Sequence, residues 1–178
     1  MSNPILYFQD LVAQVPDIIQ PLILAAAGAI PFIEGEGATA IGVIGGVNPV
    51  LAALAGIIGN FACVVVVVLL GSRIRAAATA RRNARVPVPA GAVEPAPEQP
   101  RKPESKGRQK LGRWLVRFGV PGASLLGPLA LPTQFTAAAL VASGVEKRWV
   151  ILWQGIAIVL WSTLVAVSGS VALVVLGG

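Results

Sequence analysis

The chain has 178 residues, 55% of them hydrophobic and only 12% charged, with a formal net charge of +6 and no histidine. Soluble domains average roughly 25% charged residues, so this composition, with a mean hydropathy of +0.77, describes a chain whose main solvent is lipid. The missing histidine excludes imidazole bases, His-ligated metals and Ser-His-Asp triads, and the lone Cys63 excludes an internal disulfide or a multi-cysteine metal cluster.

Met1 to Gln20 has no basic stretch ahead of its first apolar residues, unlike a cleaved signal peptide. Ile5, Phe8, Leu11, Val12, Val15, Ile18 and Ile19 recur at helical spacing, with Gln9, Asp10, Gln14 and Asp17 mostly opposite. The pattern predicts an amphipathic interfacial helix over 4–20, with Pro16 able to break its last turn. Residues 21–47 are apolar but interrupted by Pro31, Glu34, Gly35, Glu36 and Gly37. Carboxylates and freed backbone groups are tolerated at membrane depth only where protein buries them or water reaches them, so a broken, re-entrant helix pair is expected here. Residues 49–71 are uncharged and long enough for a hydrocarbon layer of about 30 Å, which predicts a transmembrane helix. On that helix Ala52, Ala55, Gly56, Gly59 and Ala62 form a small-residue face for close helix contact, and Asn60 is placed as an interhelical hydrogen-bonding group or a substrate contact.

The basic charge is segregated: every lysine and arginine except Lys147 and Arg148 lies between Arg73 and Arg117. That placement marks a cytoplasmic loop and argues against a nucleic-acid partner. Residues 76–108, rich in Ala and Arg and then in Pro, read as an extended cytoplasmic linker with little to bury. Over 109–118, Leu111, Trp114, Leu115 and Phe118 face away from Lys110, Arg113 and Arg117, giving a second, basic interfacial helix suited to anionic headgroups. Residues 120–145 repeat the broken pattern through Pro121, Pro128 and Pro132, and a second uncharged span is expected over 149–176. A shift of 98 residues lays Gly46-Val47 on Gly144-Val145 and Glu36 on Gln134. The expected architecture is therefore an all-α integral membrane protein of two inverted repeats, 1–75 and 109–178, joined by the linker.

The Gly28-Ala-Ile-Pro-Phe-Ile-Glu-Gly-Glu-Gly segment, Asn48-Pro, Gly59-Asn60, Arg117-Phe-Gly-Val-Pro-Gly and Leu131-Pro-Thr-Gln-Phe-Thr together resemble the bacterial small multidrug export proteins, which are similar to the broader DedA membrane family. The resemblance covers about 21–71 and 110–170. It implies two facing re-entrant hairpins in the bacterial cytoplasmic membrane, proton-dependent transport, and in some members a link to polyprenyl-phosphate carriers. It also implies that the hairpin acid is Glu34 or Glu36 and that the arginine heading the second hairpin is Arg117.

From the residues themselves, an intramembrane carboxylate that alternates between protonated and bare forms can couple proton movement to substrate exit. The alternative is that Glu34 and Glu36 cap broken helix ends or pair with Arg117. Thr133, Gln134 and Thr136 offer neutral hydrogen bonds to a ligand or to backbone freed by the prolines. With no nucleophile beside a recognisable base, an enzyme is not expected. The functional expectation is a transporter of an amphiphile, either a drug-like cation or a polyprenyl-phosphate-type lipid. Its rival is an accessory subunit of a larger membrane complex, and a homodimer or partner membrane protein is expected in either case.

Overall fold

The computed structural model describes residues 4–84 and 119–177, and among these the chain is all-helical. The elements are α1 (Pro4–Gln14), α2 (Gln20–Gly28), α3 (Glu34–Ile44), α4 (Pro49–Ala84), α5 (119–126), a 3-10 turn (Gly127–Leu129), α6 (Thr133–Ser143) and α7 (Lys147–Gly177). Only α4 and α7 are long and apolar enough among these to cross a membrane.

Several boundaries differ from the sequence expectation for identifiable reasons. The first helix stops at Gln14 rather than reaching residue 20, because Pro16 disfavours helical backbone at the residue before it and lacks an N–H of its own. The expected break within 21–47 is present, as nine-residue α2 and eleven-residue α3 separated by a turn over 29–33. Helix α4 starts at Pro49 as expected, where Asn48 Oδ1 accepts the Val50 N–H at 2.9 Å and caps the helix. It does not end near residue 71 but continues to Ala84, so the first nine residues of the expected linker are helical, as the good helix formers Ala and Arg allow. The remainder of the linker and the basic helix expected over 109–118 lie outside the described residues.

The long helices run antiparallel. Arg75 Nη1 of α4 donates to the Val141 carbonyl at 3.5 Å, which puts the basic end of α4 beside the turn that starts α7. At the other end, Gly169 of α7 lies against Val43 of α3, next to the start of α4. Asn60 has about 16 Å of helix on either side, to Pro49 and to Gly71, and so marks the middle of the uncharged stretch 49–71 of α4, termed its half-depth.

Helices α3 and α6 each cover half that depth, in opposite directions. A Cβ on Gly35 would meet Ser162 Oγ at 2.5 Å and the Gly56 carbonyl at 3.4 Å, whereas Gly42 lies against Ala52. Thus α3 starts at mid-depth and runs to the end where α4 begins. Thr133 lies beside Asn60, and a Cβ on Gly71 would meet Val141 at 3.7 Å, so α6 starts at the same depth and runs to the basic end. The small residues of α4 make these approaches possible. Gly56 receives Gly28 and Gly35, Gly59 lies directly on the Ala25 backbone, and Ala62 of the same expected face is exposed.

Two apolar clusters result. One packs Leu24, Ile41 and Val43 with Val12 and Ala52; the other packs Val64 and Val68 with Leu140, Val150 and Ile158. Outside them, Leu51, Leu54, Ile58 and Val66 of α4 and Leu152, Ile156, Leu160 and Leu164 of α7 are exposed, forming an apolar outer surface on the two long helices.

The turns after α3 and α6 are near copies. Gly46 has φ +82° and Gly144 φ +100°, left-handed values that glycine adopts without cost. The following Val47 and Val145 N–H groups donate back to Gly42 and Leu140 carbonyls at 2.9 and 3.1 Å. Both correspondences follow the 98-residue shift, as do the starts of α4 and α7.

Candidate functional site

The two breaks meet. The turn over 29–33 contains Pro31 and two non-glycine residues with left-handed backbone nearby, Phe32 at φ +74° and Glu34 at φ +56°. Such positions cost about 1–2 kcal/mol each for L-residues and persist only where surrounding contacts hold them. At Glu34 the unusual backbone turns the side chain away from its own helix and into the start of α6. There Glu34 Oε1 accepts both the Thr133 backbone N–H and the Thr133 hydroxyl, each at 2.5 Å.

The Thr133 N–H is one of the orphan donors at the start of a helix. Pro132, at the N-cap of α6, makes no capping hydrogen bond through its side chain. Glu34 therefore caps α6 from the other half of the chain. Around this contact, Asn60 and Thr133 are fully buried and Gln134 nearly so. Gln134 Nε2 donates to Asn60 Oδ1 at 3.1 Å, and Thr133 Oγ1 lies 3.1 Å from the same oxygen. Four of the sequence-predicted residues, Glu34, Asn60, Thr133 and Gln134, thus form one buried cluster at half-depth between the two apolar clusters.

The other predicted residues lie differently. Glu36 is half-buried and outside this network, and its buried Oε2 has no partner. Arg117 lies outside the described residues, so the expected pairing with Glu34 or Glu36 falls there too; among the described residues Glu34 is held by neutral donors. Thr136 packs its side chain against Gly127 rather than joining the cluster.

Sequence reasoning missed a polar seam on α7. Gln154 and Ser162 are fully buried there, eight residues apart on one helical face. Gln154 Nε2 donates to Ser124 Oγ at 3.5 Å, while Gln154 Oε1, Ser162 Oγ and Asn60 Nδ2 are buried without partners. Trp161 Nε1 donates to the Leu125 carbonyl at 2.9 Å and closes the end of α5. The available signal was the i, i+4, i+8 spacing of Gln154, Ile158 and Ser162 in an otherwise apolar helix.

The second turn is also marked by an aromatic contact. Phe32 and Phe135, each two residues from one member of the Glu34–Thr133 contact, meet edge to face with centroids 6.0 Å apart. No group of His, Cys, Asp and Glu able to hold a metal occurs among the described residues. Chemically, the cluster offers a carboxylate with one oxygen engaged by a helix N-terminus, flanked by amides and hydroxyls and by no cation among the described residues. Comparison with protein-family models, with characterised proteins and with solved structures yields no match.

Proposed function

We propose that this chain is a small multi-pass transporter of the bacterial cytoplasmic membrane, related in mechanism to the small multidrug export and DedA-like proteins, in which Glu34 couples proton movement to the passage of an amphiphile. The observation that carries the reading is the Glu34–Thr133 contact: a buried acid at half-depth, joining the two broken segments and held by neutral donors. In this reading α2–α3 and α5–α6 are re-entrant hairpins of two inverted repeats. The opposite directions of α3 and α6 and the paired turns at Gly46 and Gly144 support that arrangement.

The mechanism follows from the capping bond. Ionised, Glu34 satisfies the positive end of α6 and locks the two hairpins together. Protonated, it loses the charge–dipole part of that attraction, and the hairpins separate more readily. Asn60, Gln134 and the unpartnered Ser162 hydroxyl supply neutral hydrogen bonds to a substrate headgroup in the opened state. The rival accessory-subunit reading rests on docking through glycine and alanine faces, with the basic linker as the handle. Gly28, Gly35, Gly56 and Gly59 are occupied within the chain, which favours the transporter.

The test is flux into proteoliposomes under an imposed pH gradient, with cationic amphiphiles and polyprenyl phosphates supplied separately. Gradient-driven flux of one class is expected for the unmodified protein, and its loss with retained binding for Glu34→Gln. Unchanged flux in Glu34→Gln would refute the coupling role, and no flux of either class would favour the accessory subunit.

A further inference from the structure

Helix α7 presents a stripe of Arg148, Leu152, Gly155, Ile156, Val159 and Leu160 at three- and four-residue spacing, and this stripe floors an open groove. Its wall is Phe61 of α4, which approaches so closely that a Cβ on Gly155 would meet the ring at 2.9 Å. The missing side chain at Gly155 is what lets the Phe61 ring come this close to α7 and stand as the wall. From Arg148 to Leu160 the groove extends about 18 Å along the helix, against about 15 Å for the hydrocarbon of one leaflet. It therefore reaches from the basic end of the long helices to mid-depth.

Apart from Arg148 the lining is apolar or glycine. Arg148 is exposed and forms no ion pair among the described residues. Glu146, the acid nearest in sequence, lines a separate basin with Arg75 and Lys147. We infer that this groove seats one acyl chain of an anionic phospholipid from the leaflet at the basic end, with the headgroup phosphate on Arg148.

The charge and length together select this occupant. A cationic amphiphile would place its head against the guanidinium. A second copy packed by a two-fold axis along the membrane normal would bring two Arg148 side chains together. An anionic lipid meets the cation at the interface and fills the apolar length below it.

The experiment uses the full chain in detergent, mixed with equal amounts of phosphatidylglycerol and phosphatidylcholine, with bound lipids counted by native mass spectrometry. Preferential retention of phosphatidylglycerol is expected. Removing one interfacial cation should reduce that retention about fivefold in Arg148→Gln, with recovery in Arg148→Lys. Val159→Trp should displace the lipid by filling the groove, and Arg81→Gln, a charge change of the same size on α4, should have little effect. Circular dichroism confirms that each variant is folded. Equal retention of the two lipids, an Arg148→Gln effect no larger than that of Arg81→Gln, or a dimer cross-linked through cysteine at 156 would overturn the inference. None of these readouts requires transport, so they fail or succeed separately from the proposed function.

Discussion

Replacing Glu34 by alanine and by glutamine separates a capping role from a coupling role. In Glu34→Ala the Thr133 N–H loses its acceptor in a position with no exposure, and it cannot turn elsewhere because the helix fixes it. The Thr133 hydroxyl has an alternative, since Asn60 Oδ1 is 3.1 Å away. One stranded buried donor costs about 1–3 kcal/mol. The one lost methylene adds about 0.8 kcal/mol where it is buried. The expected destabilisation is therefore about 2–4 kcal/mol. Glu34→Gln keeps a carbonyl oxygen for both donors and strands no cation among the described residues. It forfeits only the charge-assisted part of the bond, about 1 kcal/mol. The assay is unfolding of the purified protein in mixed micelles titrated with a denaturing detergent, run beside proteoliposome flux. The expected pattern is near-normal stability with abolished gradient-driven flux for Gln, and lowered stability for Ala. If Gln is as unstable as Ala, the carboxylate is a permanently ionised cap and the reasoning fails.

Other outcomes follow from the packing. Gly59→Val should abolish accumulation, because its Cβ would overlap the Ala25 carbonyl, whereas Gly71→Ala should be tolerated, its nearest neighbour being 3.7 Å away; detergent-soluble yield and gel filtration distinguish them. Gly46→Ala should cost about 1–2 kcal/mol for its left-handed backbone alone, since nothing lies within 4 Å of the added carbon. Gly144→Ala should cost about the same 1–2 kcal/mol in the same unfolding assay, because the nearest atoms to the added carbon are the end of the flexible, exposed Arg75 side chain, which can move aside. In a Cys63→Ala background, impermeant labelling of single cysteines should reach positions 48 and 178 from outside but not 147; external labelling at 147 would sink the hairpin topology. Shortening 86–100, where prolines prevail, should leave accumulation and insertion intact by immunoblot of membranes.

The long helices were legible because their boundaries carry local chemistry. Asn48 caps α4, Gly144 ends the helix before α7, and the charge-free runs between them have no competing pattern. The broken segments were legible as breaks, since Pro31 and Pro132 free backbone groups that hydrocarbon cannot satisfy and the acids Glu34 and Glu36 need burial or water at that depth. Which acid lay inside was not legible. Glu34 and Glu36 are two residues apart with similar neighbours, and the choice between them is made by a left-handed φ at Glu34 that no residue type announces. Partners of the acid were equally hidden, because the Thr133 N–H is a backbone group and its bond spans 99 residues of chain. The far end of α4 was misread for a simpler reason. The Ala- and Arg-rich run before Pro87 has good helix propensity, and its association with the proline-rich residues that follow obscured this.

The buried carboxylate has a counter-charge of a kind that sequence inspection does not tally. Helix α6 begins at Thr133, whose N–H donates to Glu34 Oε1; it has no side-chain cap of its own, and a helix start carries roughly half a positive charge. That partial charge, with the Thr133 hydroxyl beside it, offsets part of the charge of an ionised Glu34, and no arginine or lysine pairs with it among the described residues. The balance holds only while the half-helices remain together. In the proposed mechanism, protonating Glu34 removes the attraction between the carboxylate and the start of α6, and the two broken segments then separate more readily. A basic partner side chain would keep its charge in both states and would follow the acid or strand it. Helix ends stay fixed to their backbones, so a change of one proton acts on the relative position of the two halves of the chain. That is the property the proposed proton-coupled step requires, and it would arise from the placement of two backbone breaks at one depth.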